Sequence, residues 1–180
     1  MYFDTIIAGF GGQGVMLIGN ILAYAGIAEE KNVTYMPVYG VEMRGGTANC
    51  TIVVSDDEIG SPIIQNPVSA IIMNVPSLDK FAPRVKDDGF MIINSTLITE
   101  EDMKPFNSKT YAMVPSRDIA IESAGNEKLA NMVVLGATIK KSGIVQLSSM
   151  EKALTAGLDK RYHHLIDANL KALQGGADFV

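Results

Sequence analysis

Gly9-Phe10-Gly11-Gly12-Gln13-Gly14 constrains this chain more than any other segment, because it fits G-x-G-x-x-G in the context where that spacing carries structural meaning. Ahead of it, Phe3-Asp4-Thr5-Ile6-Ile7-Ala8 is a short β-branched and apolar run that reads as a strand. Behind it, Val15 to about Glu30 reads as a helix. Strand, glycine turn and helix in that order predict an α/β layer fold. The glycines permit the tight turn, and the free N–H groups at the helix start favour an anion by about 0.3–1 kcal/mol through the dipole. Two readings stay open: a phosphate or pyrophosphate sits there, or the glycines serve only close helix–strand packing.

A dinucleotide reading fails a specific test. The ribose 2′-OH needs an acid at the end of the second strand, and that strand, Val33 to Met36, is closed by Pro37 with no acid. Glu29 and Glu30 precede it at the helix end. G-x-x-x-x-G-K-[ST] is missing, so a P-loop nucleotidase is not supported. The helix from Val15 is apolar nearly all round (Met16, Leu17, Ile18, Ile21, Leu22, Ile27) and expects cover on both sides, from the sheet and from this domain or another chain.

The remaining pattern continues α/β alternation. Thr47 to Val54 alternates with period two, predicting a half-buried strand antiparallel to a neighbour. Ser69 to Met73, Phe90 to Ile93 and Lys109 to Val114 read as further strands, with a short helix at Ser77 to Phe81. After Pro115 the chain turns helical. One helix is opened by Asn126 and Glu127 and ended at Gly143; a second is opened by the capping box Ser148…Glu151 and stops near Gly157. A last one runs from about Lys160 to Gly175-Gly176. The expectation is one α/β domain over residues 1–180, a mostly parallel sheet flanked by helices, with a helical C-terminal third.

Composition narrows the function. The 180 residues carry a net charge of −5 with 15 basic and 20 acidic side chains, which argues against a nucleic-acid or anionic-membrane surface. No apolar run approaches the ~18 residues of a membrane span, and Met1-Tyr2-Phe3-Asp4 lacks the basic start of a secretory signal. Cys50 is the one cysteine, so the chain holds no internal disulfide, four-cysteine zinc site or thiolate-ligated cluster. A reducing cytoplasm is the expected compartment.

The loop Tyr39-Gly40-Val41-Glu42-Met43-Arg44-Gly45-Gly46 sets an arginine between glycine turns, where it can reach a phosphate or carboxylate in bidentate fashion or pair with Glu42. Ligands of open α/β sheets gather beyond the C-terminal strand ends. Asn74 and Asn94 end consecutive strands there, facing one crevice or merely making turns. His163 and His164 are adjacent and cannot chelate as an i,i+4 pair. Cys50 lies on the apolar face of its strand and reads as an inert core thiol. No self-sufficient active site is legible.

The glycine loop, Tyr39 to Gly46 running into Thr47-Ala-Asn-Cys50, Ile59-Gly-Ser-Pro62, Asn74 to Phe81, Gly89 to Ser95 and Asn131 to Ala137 together resemble the gamma subunit of 2-oxoacid:ferredoxin (acceptor) oxidoreductases, the pyruvate, ketoisovalerate and 2-oxoglutarate enzymes. The resemblance implies a Rossmann-like fold and a subunit of a complex that converts a 2-oxoacid and coenzyme A into acyl-CoA, CO2 and reduced ferredoxin. Thiamine diphosphate and iron–sulfur clusters would reside in partners: alpha and beta (thiamine-binding) and ferredoxin-like subunits. By motif match, Gly11, Gly12, Gln13 and Gly14 would lie nearest the coenzyme A phosphates, with Arg44 a contact or interface residue. The Glu42-Met-Arg-Gly-Gly form resembles the 2-oxoglutarate and branched-chain types, and Tyr39 and Glu42 count against the indolepyruvate small subunit. A free-standing nucleotide-binding or sensor protein is the alternative.

Overall fold

The computed structural model describes residues 1–38 and 48–180. Its centre is a six-stranded sheet of β1 (Tyr2–Gly9), β2 (Asn32–Val38), β3 (Ala48–Ser55), β4 (Ser69–Ile72), β5 (Phe90–Asn94) and β6 (Thr110–Val114), in spatial order β2-β3-β1-β4-β5-β6. β1, β4, β5 and β6 pair in parallel, whereas β3 runs antiparallel to both β1 and β2. Only β3 is therefore reversed. The chain leaves β1 toward β2 on one side and later returns to β4 on the other. The carboxyl end of β1 is thus the topological switch point, where an open α/β sheet leaves a crevice.

Two helical layers cover the sheet. The larger contains α1 (Val15–Ala28), α4 (Ser116–Ala124), α5 (Ala130–Ser142), α6 (Met150–Gly157) and α7 (Ile166–Phe179). Its core joins Ile18 and Leu22 to the sheet residues Ile7, Ile52, Ile71 and Ile92, and to Met132, Leu135 and Leu154. The opposite face buries Ile6, Ala8, Ile72 and Met91 against Leu78 and Phe81 of α2 (Val75–Phe81) and Met103 of α3 (Glu100–Met103). The apolar all-round α1 finds its second cover within this chain: it packs on β2 and β3 with one side and on α6 with the other. It ends at Ala28, two residues before the expected end, because Glu30 turns to φ 60° and the Lys31 N–H closes back onto the Gly26 carbonyl at 3.0 Å.

Several local expectations give way to tertiary context. Pro37 does not stop β2, which runs on to Val38; β2 is an edge strand, where a missing N–H costs no ladder bond. β3 is antiparallel as its alternation predicts, yet it is buried from Asn49 to Ser55 rather than on one face only; α1 packs on it and strands pair with both of its edges. The Ser148…Glu151 capping box does not form. Ser148 falls inside a 3₁₀ turn, and Ser149 stands at the N-cap of α6 without a side-chain bond. Asn126 does cap, its side chain accepting from the Lys128 N–H, but it opens a 3₁₀ turn that leads into α5. Gly143 ends α5 in the left-handed conformation as expected, at φ 63°.

The largest departure is at Gly175-Gly176. A 3₁₀ segment over Lys160–Leu165 precedes α7, which then runs straight through both glycines to Phe179. Their purpose is close approach. A Cβ at Gly176 would stand 1.9 Å from the Val133 carbonyl oxygen, and one at Gly136 would stand 1.9 Å from that of Leu173. The two glycines let the backbones of α5 and α7 touch reciprocally, and that contact outweighs the helix propensity they forfeit, about 1 kcal/mol each.

Gly176→Ala should therefore lower stability by about 3 kcal/mol, since backbone has to move rather than a flexible side chain; Gly11→Ala, whose Cβ meets nothing within 4 Å, should not. A denaturant midpoint for Gly176→Ala equal to that of the parent chain would refute the contact. Cys50 supplies a second test. It is fully buried, and burial pushes its thiol up to about 12. It should resist iodoacetamide in the native state and react once the chain is unfolded. Because the unfolded thiol ionises near its ordinary pKa of about 8.5 and the folded one does not until about 12, this group's contribution to stability is complete below pH ~8.5. It declines as pH rises between those two values.

Candidate functional site

The glycine loop sits at the switch point, and its shape comes from the Gln13 side chain. Gln13 folds back over its own turn: its Oε1 accepts the Phe10 N–H at 2.6 Å and the Asn74 Nδ2–H at 3.3 Å, while its Nε2 donates to the Met73 carbonyl at 3.2 Å. The Gln13 N–H donates to the Phe10 carbonyl at 3.2 Å, closing the turn on the backbone side as well. Gly9 is glycine for this reason, since a Cβ there would stand 2.6 Å from Gln13 Oε1 and 2.8 Å from Met73 Cβ. Gly12 and Gly14 take φ values of 94° and 73°, a region L side chains rarely occupy. Gly14 is the N-cap of α1 and provides no side chain to cap it, so the first turn keeps its donors free of a side-chain acceptor.

The strand-end asparagines are heavily engaged. Asn74, 2% exposed, caps α2 by accepting from the Ser77 N–H at 2.9 Å and donates to Gln13. Asn94, 3% exposed, donates to the same Met73 carbonyl that Gln13 uses, at 3.3 Å. Its Oδ1 accepts from Ser116 Oγ at 2.7 Å and from the Thr96 N–H at 3.1 Å. Met73 O thus ties the glycine loop to the ends of β4 and β5. Arg44, with the rest of the Tyr39 to Gly46 loop, lies outside the described residues.

A cleft of about 610 Å³ opens beside this knot. Gly12, Gln13 and Asn94 line it, joined by Ser116, Arg117 and Asn131. Of the residues expected at the site, Gly12, Gln13 and Asn94 come together there, whereas Asn74 stands behind Gln13. Arg117 pairs with Glu127 through Nε and Nη2, each at 2.7 Å from Oε2, across the cleft rim where Lys128 also stands. Sequence reasoning passed over Ser116 and Arg117, although the rule that ligands collect beyond strand ends reaches them just past β6. Asn131 had one signal of its own: a polar residue entering an otherwise apolar helical stretch. Among the described residues no group of three or more His, Cys, Asp or Glu is placed to hold a metal ion, and no helix is long and apolar enough to cross a membrane. His163 Nε2 lies 3.1 Å from the Leu158 carbonyl, and His164 is exposed.

Comparison with known proteins agrees with this architecture. The ketoisovalerate oxidoreductase subunit VorA of Methanothermobacter thermautotrophicus is 38% identical over 179 residues, covering 97% of this chain and 35% of its own length. The chain thus spans about a third of that relative. The 2-oxoglutarate synthase subunit KorC of Methanothermobacter marburgensis is 30% identical over 178 residues, covering 97% of this chain and 94% of its own. Among solved structures, the gamma subunit of a keto/oxoacid ferredoxin oxidoreductase from Geobacter sulfurreducens superposes with a TM-score of 0.81 at 26% identity, covering 98% of this chain and 96% of that one. A 2-oxoglutarate:ferredoxin oxidoreductase from Magnetococcus marinus, with 2-oxoglutarate, coenzyme A and succinyl-CoA bound, shares the fold at a TM-score of 0.83 and 17% identity. It covers 99% of this chain, which spans 31% of that one. The family model for pyruvate ferredoxin/flavodoxin oxidoreductase matches residues 4–179. With the match running through the glycine loop, the cleft and the helical layer alike, the chain belongs to the pyruvate ferredoxin/flavodoxin oxidoreductase family.

Proposed function

We propose that the chain serves as the gamma subunit of a multi-subunit 2-oxoacid:ferredoxin oxidoreductase, supporting coenzyme A-dependent oxidative decarboxylation of a 2-oxoacid in the cytoplasm. The observation that carries this reading is the end-to-end correspondence with the Geobacter gamma subunit, which leaves little of either chain unmatched. The residue chemistry supports a supporting rather than self-sufficient role. Cys50, the one thiol in the sequence, is buried and held as a neutral donor to the Val15 carbonyl, so it does not suit an iron–sulfur cluster. Clusters and thiamine diphosphate are assigned to alpha, beta and ferredoxin-like partners. Those groups supply the decarboxylation and electron transfer; this chain's residues bind and position.

Coenzyme A fits the glycine loop chemically. Gly11 and Gly12 place backbone ahead of the helix start with no neighbouring side chain in the way, Asn131 packs against Gly14, and Gln13 holds that backbone in shape. In this reading Gly11, Gly12, Gln13 and Gly14 lie nearest the coenzyme's phosphates. Asn74 and Asn94 brace the crevice, and Arg44 contacts the coenzyme or a partner. A 2-oxoglutarate or branched-chain oxoacid substrate is favoured, in keeping with relatives named for 2-oxoglutarate and ketoisovalerate.

Anaerobic purification of the tagged chain from its host should return a brown complex containing a thiamine-binding chain and a cysteine-rich chain. A colourless, lone 19.3 kDa species would defeat the assignment. In the assembled enzyme, Gln13→Ala and Arg44→Ala should raise the KM for coenzyme A about fivefold, roughly 1 kcal/mol of lost contact. Unchanged KM values in both variants would remove coenzyme A from this loop.

A further inference from the structure

α4 and α7 pack side by side and leave a groove of about 340 Å³ between them, which shares no lining residue with the cleft at the strand ends. Its floor is apolar. Gly175 has no side chain to fill it, and a Cβ there would stand 3.0 Å from Ile119 Cγ2 and 3.0 Å from Ser123 Cβ. The Ser123 hydroxyl donates its hydrogen to the Ile119 carbonyl at 2.6 Å, so it brings no free donor to the groove. Phe179, 49% exposed, contributes an aromatic ring. The rim is acidic: Glu122 lines it from α4 and Asp178 from α7, and Asp118 lies one turn before Glu122 on the same helix face. None of the three makes an ion pair among the described residues. The cations nearest them in sequence are engaged elsewhere, Arg117 with Glu127 and Lys171 with Asp167. Asp178 accepts a neutral hydrogen bond from Gln174 Nε2 at 2.7 Å.

An apolar trough edged by carboxylates without a cation selects an occupant that has an aliphatic stem and a positive tip. A neutral apolar side chain would cover the carboxylates and strip their water without replacing it, and an acidic one would be repelled. Lysine and arginine carry the required combination: the stem lies along apolar surface while the head reaches the polar edge. An aromatic ring beside the head adds a cation–π contact. We propose that the α4–α7 groove is the docking surface for a basic segment of a partner subunit. A lysine or arginine of that segment lays its stem over Gly175 and Ile119 and sets its charge between Glu122 and Asp178, beside Phe179. This surface presupposes the gamma-subunit reading, since it needs a partner, and goes beyond it in naming the face that the partner meets. Complementary charge of this kind fixes orientation and speeds encounter more than it adds affinity.

Carboxylate labelling with a carbodiimide and glycinamide, read by mass spectrometry, tests the surface on the isolated full chain and on the anaerobically purified complex. Glu122 and Asp178 should label readily in the isolated chain and about tenfold more slowly in the complex, where the contact excludes water. A double variant, Glu122→Lys with Asp178→Lys, changes two exposed positions and should keep the parent's thermal midpoint and circular dichroism. It should nevertheless enter the complex about tenfold less well than the parent, whose own association should weaken as salt is raised. Labelling as fast in the complex as in the isolated chain, or full assembly of the double variant, overturns the groove and leaves the gamma-subunit reading standing. A parent chain that purifies alone defeats both. An isolated chain that is already dimeric, with the groove protected, assigns the groove to a second copy and likewise overturns the proposal.

Discussion

The carbonyl oxygen of Met73 holds the functional end of this molecule together. It accepts from Gln13 and from Asn94, so a single acceptor at the end of β4 fixes both the glycine loop after β1 and the turn after β5. Asn94 passes the constraint to Ser116 at the start of α4, and Asn74 passes it to the start of α2. Asn74 and Asn94 are buried and Gln13 is half-buried, so losing one of the buried amides leaves another group unsatisfied, which costs about 1–3 kcal/mol apiece. Interlocked hydrogen bonds of this kind stiffen the switch point, so the Gln13 side chain and the strand ends let a glycine-rich backbone keep one shape.

The other wall of the cleft depends on a different constraint. Asn131 reaches Gly14 because α5 lies close over the sheet, and α5 is held there by α7 through the reciprocal contact of Gly136 and Gly176. The site is therefore assembled from two halves. One is a hydrogen-bonded knot of strand ends; the other is a helix positioned by backbone packing far from the cleft. The proposed gamma-subunit role fits this division, since a module that positioned a ligand for chemistry carried elsewhere would need shape and donors rather than nucleophiles or metal ligands.

Much of this was legible before any coordinates. The strand–glycine–helix opening, the reversed third strand and the left-handed end at Gly143 are local events, each decided by residues within one turn or one strand. The misreadings share a cause. Gly175-Gly176 looked like a helix stop because glycine weakens an isolated helix, yet contact with the Val133 backbone keeps α7 running. Pro37 looked like a strand end until β2 was placed at an edge. Ser148 and Glu151 had capping-box spacing, but a 3₁₀ turn occupied the position.

The sequence by itself determined that this is an α/β chain with an anion-suited turn, no ribose acid and no cluster ligands, because those properties depend on residue type and near-neighbour spacing. It also carried the family, since a motif can be matched without knowing what its residues touch. Tertiary structure alone decided that Gln13 shapes its own loop, that Asn74 stands behind it, and that Asn131, Arg117 and Lys128 face the same cleft. Arg117, Lys128 and Asn131 lie more than a hundred positions from the glycine loop, and only the order of the strands and the closeness of α5 to α7 bring them to it.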